Sequence, residues 1–214
     1  IRSLDINPLV LDDKRALVLD AVIEVDFIPP ALRRYEHMAI HPYPSYLETR
    51  WQLRNGTDIF IRPIRPEDAE LERTFIEGLS QQSRYYRFMH NVKLVTPEML
   101  ARFTQIDYHR ELALVALVEV KGKREEIGIS RYVVNPDGAS CEFAVVVSDK
   151  WQRTGIGYKL MELLIDAARQ KGLKYMDGIV LKENTGMRKL ARAMGFELRD
   201  HDQDEDVVYV IKKL

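Results

Sequence analysis

Apolar and polar positions change their period several times along the chain. Ser3 to Val10 sets Leu4, Ile6, Leu9 and Val10 around Asn7-Pro8, and Ala16 to Val25 is apolar and β-branched, with the polar turn Asp12-Asp13-Lys14-Arg15 between them. That spacing predicts a hairpin over residues 1–28. A hairpin alone is at best marginally stable in water, so it requires a larger sheet than these residues supply. Over residues 29–57, Pro29, Pro30, Pro42 and Pro44 oppose any continuous helix or ladder, and the stretch reads as a linker.

From Asp58 to the end the pattern is that of a folded domain. Ile59, Phe60, Ile61 and Ile64 predict a strand, and Pro66-Glu67-Asp68 opens a helix whose apolar face is Leu71, Phe75, Ile76 and Leu79. A second short helix is expected at Ser83–Phe88, and a third from Pro97 with Thr96 as N-cap. Three strands follow, Leu112–Val120, Ile127–Val134 and Ala139–Val147, joined by Lys121-Gly122-Lys123-Arg124 and by the turn Asn135-Pro136-Asp137-Gly138. Then come a helix at about Ile156–Lys171 ended by Gly172, a strand at Tyr175–Val180, a helix at Thr185–Met194 ended by Gly195, and a hairpin of Phe196–Arg199 with Val207–Lys212. The order predicts an α/β (α+β) fold, a mixed, mostly antiparallel sheet of six to seven strands flanked by helices.

Composition narrows the function classes. Hydrophobic residues are 46% and charged residues 30% of the 214, enough to fill a core. The formal net charge of -1 gives no global field toward nucleic acid or a membrane surface. No apolar run approaches the roughly 20 residues of a membrane span. The lone cysteine, Cys141, allows no internal disulfide, which fits a reducing, cytoplasmic setting. The chain opens on Ile1 with no signal-like segment, and reads as a piece of a longer polypeptide.

The chemistry concentrates in Gln152-Arg153-Thr154-Gly155-Ile156-Gly157, between an apolar strand and a helix. Glycines let the backbone turn tightly and approach a ligand. The free N–H groups of the helix's first turn then point outward at the positive end of the dipole, a geometry that binds phosphate. Arg153 adds a formal charge, and a pyrophosphate is the natural guest. A bare glycine pattern is more often only a tight turn; the strand before it, together with Asn184, Met187, Leu190 and Gly195-Phe196 after it, shifts that balance.

The stretch from Val145 to Gly157 resembles the acetyl-CoA loop of GNAT acetyltransferases, whose pattern is Q/R-x-x-G-x-G/A, and the order of elements from Asp58 to Leu214 is similar to that family. The resemblance implies that backbone groups of the strand at Val145, Val146 and Val147 bond the pantetheine arm of acetyl-CoA. It implies that Gln152, Arg153, Thr154, Gly155, Ile156 and Gly157 hold the pyrophosphate, that Asn184 contacts the cofactor, and that no metal takes part. Many members carry a tyrosine after the residue matching Leu190, as general acid for the departing thiolate; here that position is Ala191.

Attack on a thioester needs a neutral amine, and a lysine amine with a pKa near ~10.4 is almost wholly protonated at neutral pH. Glu142 is the candidate base. It lies in an apolar strand among Cys141, Phe143, Ala144 and Val145, where desolvation would raise its pKa toward the working range. Its distance from Gln152 matches the glutamate of protein acetyltransferases in the family. The bland alternative is a strand carboxylate paired with Arg131. Cys141 faces the other side of the strand and reads as packing. Asp107, Tyr108 and His109 read as a solvated loop, Tyr85 and Tyr86 as core and rim, and the acidic run from Asp200 to Asp206 as a solvated turn.

Leu4 to Val10 with Leu19-Asp20-Ala21 resembles the closing strands of ATP-grasp domains in nucleoside-diphosphate-forming acyl-CoA synthetases. Ahead of a GNAT domain, this is similar to bacterial Pat-type protein lysine acetyltransferases. That resemblance implies a protein substrate with an exposed lysine, an acyl-CoA synthetase among the candidates. Two other readings stay open: a GNAT enzyme for a small amine or amino acid, and a non-catalytic acyl-CoA-binding regulatory module.

Overall fold

A computed structural model describes residues 1–25, 38, 40–90, 92, 94–201 and 204–214. The chain divides into two units, Ile1–Ala39 and Ile40–Leu214. In the first, β1 (Ser3–Ile6) pairs antiparallel with β4 (Ala21–Glu24), and β2 (Leu9–Leu11) pairs with β3 (Ala16–Val18). This is the expected hairpin, interrupted at Asn7-Pro8. All four strands are exposed, including Leu4, Leu9, Val10, Leu17, Val22 and Ile23.

In the second unit, β5 (Thr49–Gln52) and β6 (Asp58–Pro63) form a hairpin through Asn55-Gly56. Next come α1 (Ala69–Gly78), α2 (Gln81–Phe88) and α3 (Pro97–Thr104). Then β7 (Glu111–Val120), β8 (Lys123–Val134) and β9 (Ser140–Val147) meander antiparallel. The chain ends with α4 (Ile156–Lys171), β10 (Tyr175–Leu181), α5 (Thr185–Ala193), β11 (Glu197–Asp200) and β12 (Val207–Lys213). The strand order is β11-β12-β10-β9-β8-β7-β6-β5. Every pairing is antiparallel except β9 with β10.

The sheet therefore has eight strands, not six to seven, and the extra one lies inside the expected linker. Pro42 and Pro44 precede β5 and leave its pairing with β6 free, because their ring-blocked nitrogens fall outside the ladder. Pro29 and Pro30 lie outside the described residues. Among the described residues no helix is long and apolar enough to cross a membrane.

Both faces of the sheet are covered, which explains why β7 is apolar at nearly every position. Leu112, Leu114, Ala116 and Val118 face α4, where Leu160, Met161 and Leu164 are fully buried. Ala113, Val115 and Leu117 face the other way, onto Phe75 and Ile76 of α1, Leu79 just after it and Leu100 of α3. Each large side chain so enclosed stabilises the fold by about 1.5–3 kcal/mol of transfer free energy. Thr96 caps α3 by accepting from the Met99 N–H, and Gly172 ends α4 at φ 81°, both as the sequence predicts.

The α1 side also buries charge. Arg62 and Asp68 form a two-pronged pair at 2.7 Å for both contacts, with 5% and 4% of their surfaces exposed. Glu72 and Glu126 are buried beside one another nearby. Burial, and then the Glu72 carboxyl, push Glu126 well above the ordinary glutamate range.

Candidate active site

The parallel ladder between β9 and β10 is short. Its partners are Ser140 with Tyr175, Cys141 with Met176 and Glu142 with Asp177. Beyond those pairs the strands part. Gly178 sits at the parting point, where a Cβ would come 3.2 Å from both the Phe143 carbonyl oxygen and its ring. A residue without a side chain lets the strands run this close before they diverge; a Cβ would make Phe143 give way by a few tenths of an ångström. From Phe143 to Val147 the edge of β9 that faces away from β8 has no ladder partner in β10. Its backbone polar groups line an opening instead of closing a sheet.

That opening is a cleft of about 820 Å³. One wall is β9 from Glu142 to Val147; facing it are Ile179 and Val180 of β10 and the start of α5 from Asn184 to Met187. Gln152, Arg153, Gly155, Gly157 and Tyr158 form the floor. Gly155 takes φ 97°, and Arg153 takes φ 62°, so the loop makes two left-handed turns before α4 begins. No side chain caps α4. Its first N–H groups stay available at the positive end of the helix dipole, facing a cleft roomy enough for a diphosphate ester with an extended arm.

The third wall is α2, which contributes Gln82, Ser83, Tyr86, Arg87 and Phe88, with Met89 just after it. Side-chain hydrogen bonds fasten it to the phosphate loop. Asp149 accepts from the Ser80 N–H (2.9 Å), the Ser80 hydroxyl (2.8 Å) and the Ser83 hydroxyl (2.8 Å). Burial pushes the Asp149 carboxyl up, but these donors outweigh it and hold the group below its ordinary value. Gln152 donates from its amide to the Ser83 hydroxyl (3.1 Å) and to the Val147 carbonyl (3.2 Å). Gln152 therefore shapes the loop as well as lining the cleft.

Glu142 lies at the inner end of the cleft, at the last paired position before the fork. Its setting differs from the sequence expectation: it is exposed, not enclosed by its apolar neighbours. Cys141 and Phe143 point into the α4-side core, while Glu142 points the other way, into space that the fork keeps open. Its carboxylate makes no hydrogen bond or close ion pair among the described residues. Arg131 is not its partner; that guanidinium donates to the Phe103 carbonyl and lies 4.0 Å from Glu111. Arg87, on α2, has Glu142 among its charged neighbours. Burial first, and Arg131 next, pull the Arg87 guanidinium down to about 10.

The structure thus gathers Glu142, Val145, Val146, Val147, Gln152, Arg153, Gly155, Gly157 and Asn184 on one cleft. Two predicted residues stand apart. Ile156 is fully buried, so only its backbone amide can serve a ligand. Thr154 donates from its hydroxyl to the Trp151 carbonyl oxygen at 2.6 Å and lies off the main cleft. Asn184 caps α5 by accepting from the Met187 N–H (3.0 Å), which leaves its amide NH₂ as the donor toward the cleft. Tyr86 lines the cleft and Tyr85 is exposed, so neither is a core residue. Asp107, Tyr108 and His109 lie off the cleft: Asp107 accepts from the His109 N–H, and Tyr108 donates to the Ile64 carbonyl. Cys141 is fully buried packing, as expected. Part of the acidic run, Asp202, lies outside the described residues.

Residues 77–196 match the acetyltransferase (GNAT) family. The acetyltransferase PA5475 of Pseudomonas aeruginosa is 40% identical over 158 residues, 73% of this chain and 85% of that protein. The acetyltransferase Pat of Mycolicibacterium smegmatis is 30% identical over 145 residues, 67% of this chain but 43% of that longer protein. Among solved structures, the GNAT domain of S. lividans PAT superposes with a TM-score of 0.73 at 29% identity, covering 81% of this chain and 100% of that domain.

Proposed function

Because this chain belongs to the GNAT family of acetyl-CoA-dependent N-acetyltransferases, we propose that its acceptor is the Nε-amine of a lysine in a protein, with Glu142 as general base. The observation that carries this reading is the place of Glu142. It is a carboxylate without a close partner among the described residues, on the cleft wall, at the last paired residue before the β9–β10 fork. Likeness to two proteins named Pat supports a protein acceptor.

When bound, acetyl-CoA supplies a thioester carbonyl open to attack by an amine. The residues around it have separable tasks. The unpaired edge of β9 at Val145–Val147 offers amide and carbonyl groups to the pantetheine arm. The N–H groups at the start of α4, with Arg153, hold the pyrophosphate, and the Asn184 amide donates from the opposite wall. Glu142 accepts a proton from the attacking amine. General bases contribute roughly 10²–10⁴-fold. Ala191 is buried and carries no proton, so it cannot supply the acid that a tyrosine there would give the departing thiolate.

Within the same proposal the protein works in the cytoplasm on acyl-CoA synthetases. Residues 1–28 are a remnant of a synthetase-like domain, and their exposed apolar strands suit a segment that packs on further sheet. The test is mass spectrometry of acyl-CoA synthetases incubated with the protein and acetyl-CoA. Site-specific lysine acetylation that disappears with Glu142→Gln is the expected result. Turnover on free polyamines or amino acids with no modification of any protein would overturn the protein-acceptor reading.

A further inference from the structure

With Ala191 in α5, the departing thiolate must find its proton elsewhere. Among the described residues that line the cleft, four carry a hydroxyl: Ser83, Tyr86, Tyr158 and Thr185. The Ser83 hydroxyl is committed, since it donates to Asp149 at 2.8 Å. Thr185 has an aliphatic hydroxyl, a far weaker acid than a phenol. Tyr158 stands on the first turn of α4, at the pyrophosphate end. Tyr86 is different. Gln82 donates from its amide to the Tyr86 hydroxyl oxygen at 2.9 Å. That bond uses a lone pair of the phenol and leaves its hydrogen free, and no acceptor among the described residues takes it.

Contacts at the two ends of α2 fix where along the cleft Tyr86 stands. Near the start, Ser83 meets Asp149 and Gln152 beside the phosphate loop, at 2.8 and 3.1 Å. At the end, Phe88 stacks on Phe103 with ring centroids 6.0 Å apart, and the Arg131 guanidinium lies 5.2 Å from the centroid of that same ring. Arg131 is the register partner of Ala144 on β9. The helix thus runs from the pyrophosphate end of the cleft toward the level of Ala144, close to Glu142. Ser83 and Tyr86 share one helical face and lie about 4.5 Å apart along the axis. Tyr86 therefore stands between the phosphate loop and the base, across from the stretch where an arm laid along Val147 to Val145 ends.

We propose that Tyr86 is the general acid of the reaction, donating its phenolic proton to the sulfur of CoA, with Gln82 holding the phenol in place. The inference rests on the reading of the cleft as the acetyl-CoA site with Glu142 as base. The amine's lone pair forms the new N–C bond, and the C–S pair leaves on sulfur. Glu142 takes a proton from nitrogen, and Tyr86 gives one to sulfur. Water then removes the proton from Glu142 and returns one to Tyr86, so the protons balance.

The test reads binding and needs no acceptor. CoA and desulfo-CoA, which lacks the sulfur, are titrated calorimetrically into the full chain at neutral pH and at pH ~9, where an alkyl thiol with an ordinary pKa near ~8.5 is largely ionised. A hydrogen bond to a charged sulfur is stronger than one to a neutral thiol, so the parent's preference for CoA over desulfo-CoA should grow ~10-fold between the two. Tyr86→Phe should lose most of that growth, while Tyr85→Phe, on the exposed side of α2, should keep it. In acetyl transfer, Tyr86→Phe should lower kcat ~10²-fold with KM for acetyl-CoA unchanged. A folded Tyr86→Phe variant that keeps the parent's growth in preference, or its kcat, would sink the proposal. If that variant does not fold, Gln82→Ala decides: it unties the phenol and should cut the growth several-fold, and undiminished growth counts against the acid. Failure of the underlying reading looks different. A misplaced cofactor site shows as no binding of either ligand, and a wrong base shows as full turnover by Glu142→Gln with the CoA and desulfo-CoA comparison untouched.

Discussion

Gly155 offers a sharp test of how the phosphate loop works. Its backbone sits at φ 97° and ψ -8°, and α4 begins at the next residue without a side-chain cap. An alanine Cβ there would meet only the Trp51 ring, at 3.6 Å, an ordinary contact. The cost of Gly155→Ala is therefore one of backbone conformation, about 1–2 kcal/mol for an L-residue forced into the left-handed region. That cost can fall in two places. If the loop keeps its shape, the folded state loses about 1–2 kcal/mol and affinity for CoA is unchanged. If the loop relaxes, stability is kept, the N–H groups of Ile156 to Tyr158 swing away, and binding must restore the strained turn. Affinity then drops roughly 5–30-fold. Urea unfolding and calorimetric titration with CoA measure the two losses, and their sum should equal the conformational cost. Gly157→Ala is the control: its Cβ would make 3.6 Å contacts with Leu190 and Val147 at an ordinary helical φ. Its methyl group should leave stability intact, since alanine favours helix over glycine by up to about 1 kcal/mol. A Gly155→Ala variant with both stability and affinity at parent values would refute the role given to this turn.

Glu142→Gln keeps the side-chain shape and removes the proton acceptor, so kcat should fall ~10²–10⁴-fold with CoA affinity unchanged. Near-parent kcat at neutral pH would make Glu142 structural. Burial and Glu72 raise the Glu126 carboxyl in the fold, so between its ordinary and raised values the native state keeps a proton that the unfolded chain releases. Stability should therefore fall as pH rises from the ordinary glutamate value through the raised one, by up to ~1.4 kcal/mol per pH unit for one proton. Glu126→Gln should flatten that slope in urea midpoints measured from acid to mildly alkaline pH; an unchanged slope would place the proton elsewhere. Removal of residues 1–39 should leave the thermal midpoint of the remaining unit and its acetyl transfer largely intact, since residues 40–214 form a compact unit of their own. Loss of transfer by a soluble, folded truncation would assign those residues to the active site.

Local signals in the chain were enough for much of this fold. The helix α4 is legible because Ile156, Leu160 and Leu164 repeat at four-residue spacing and Gly172 stops the run. The phosphate loop is legible because its glycines have a local purpose. What escaped was non-local, with one exception. The Asn55-Gly56 dipeptide is a strong hairpin signal, and it foretells β5, but the nearby prolines outweighed it. The α2 wall could not be read in advance, because it depends on Ser80 and Ser83 meeting Asp149 across 69 and 66 residues of chain. Buried Glu72 and Glu126 gave no warning either, because burial of a charged pair is decided by tertiary packing.

The exposure of Glu142 shows why the site could be located without its environment being known. An apolar strand flanked by apolar strands is buried on both faces, and a carboxylate within it should be desolvated. That inference holds only while the neighbouring strand stays paired. Here β10 enters the sheet parallel to β9 and leaves it after Asp177, with Gly178 allowing the last close approach. One departure has two consequences. It frees the β9 backbone groups from Phe143 onward to bond a ligand, and it opens the face of β9 on which Glu142 stands. A base lodged deeper in the paired region would be shielded from the amine. One further out, along Val145 to Val147, would compete with the cofactor arm for the same edge. The position just before the fork sets Glu142 on the cleft wall and clear of the unpaired β9 edge.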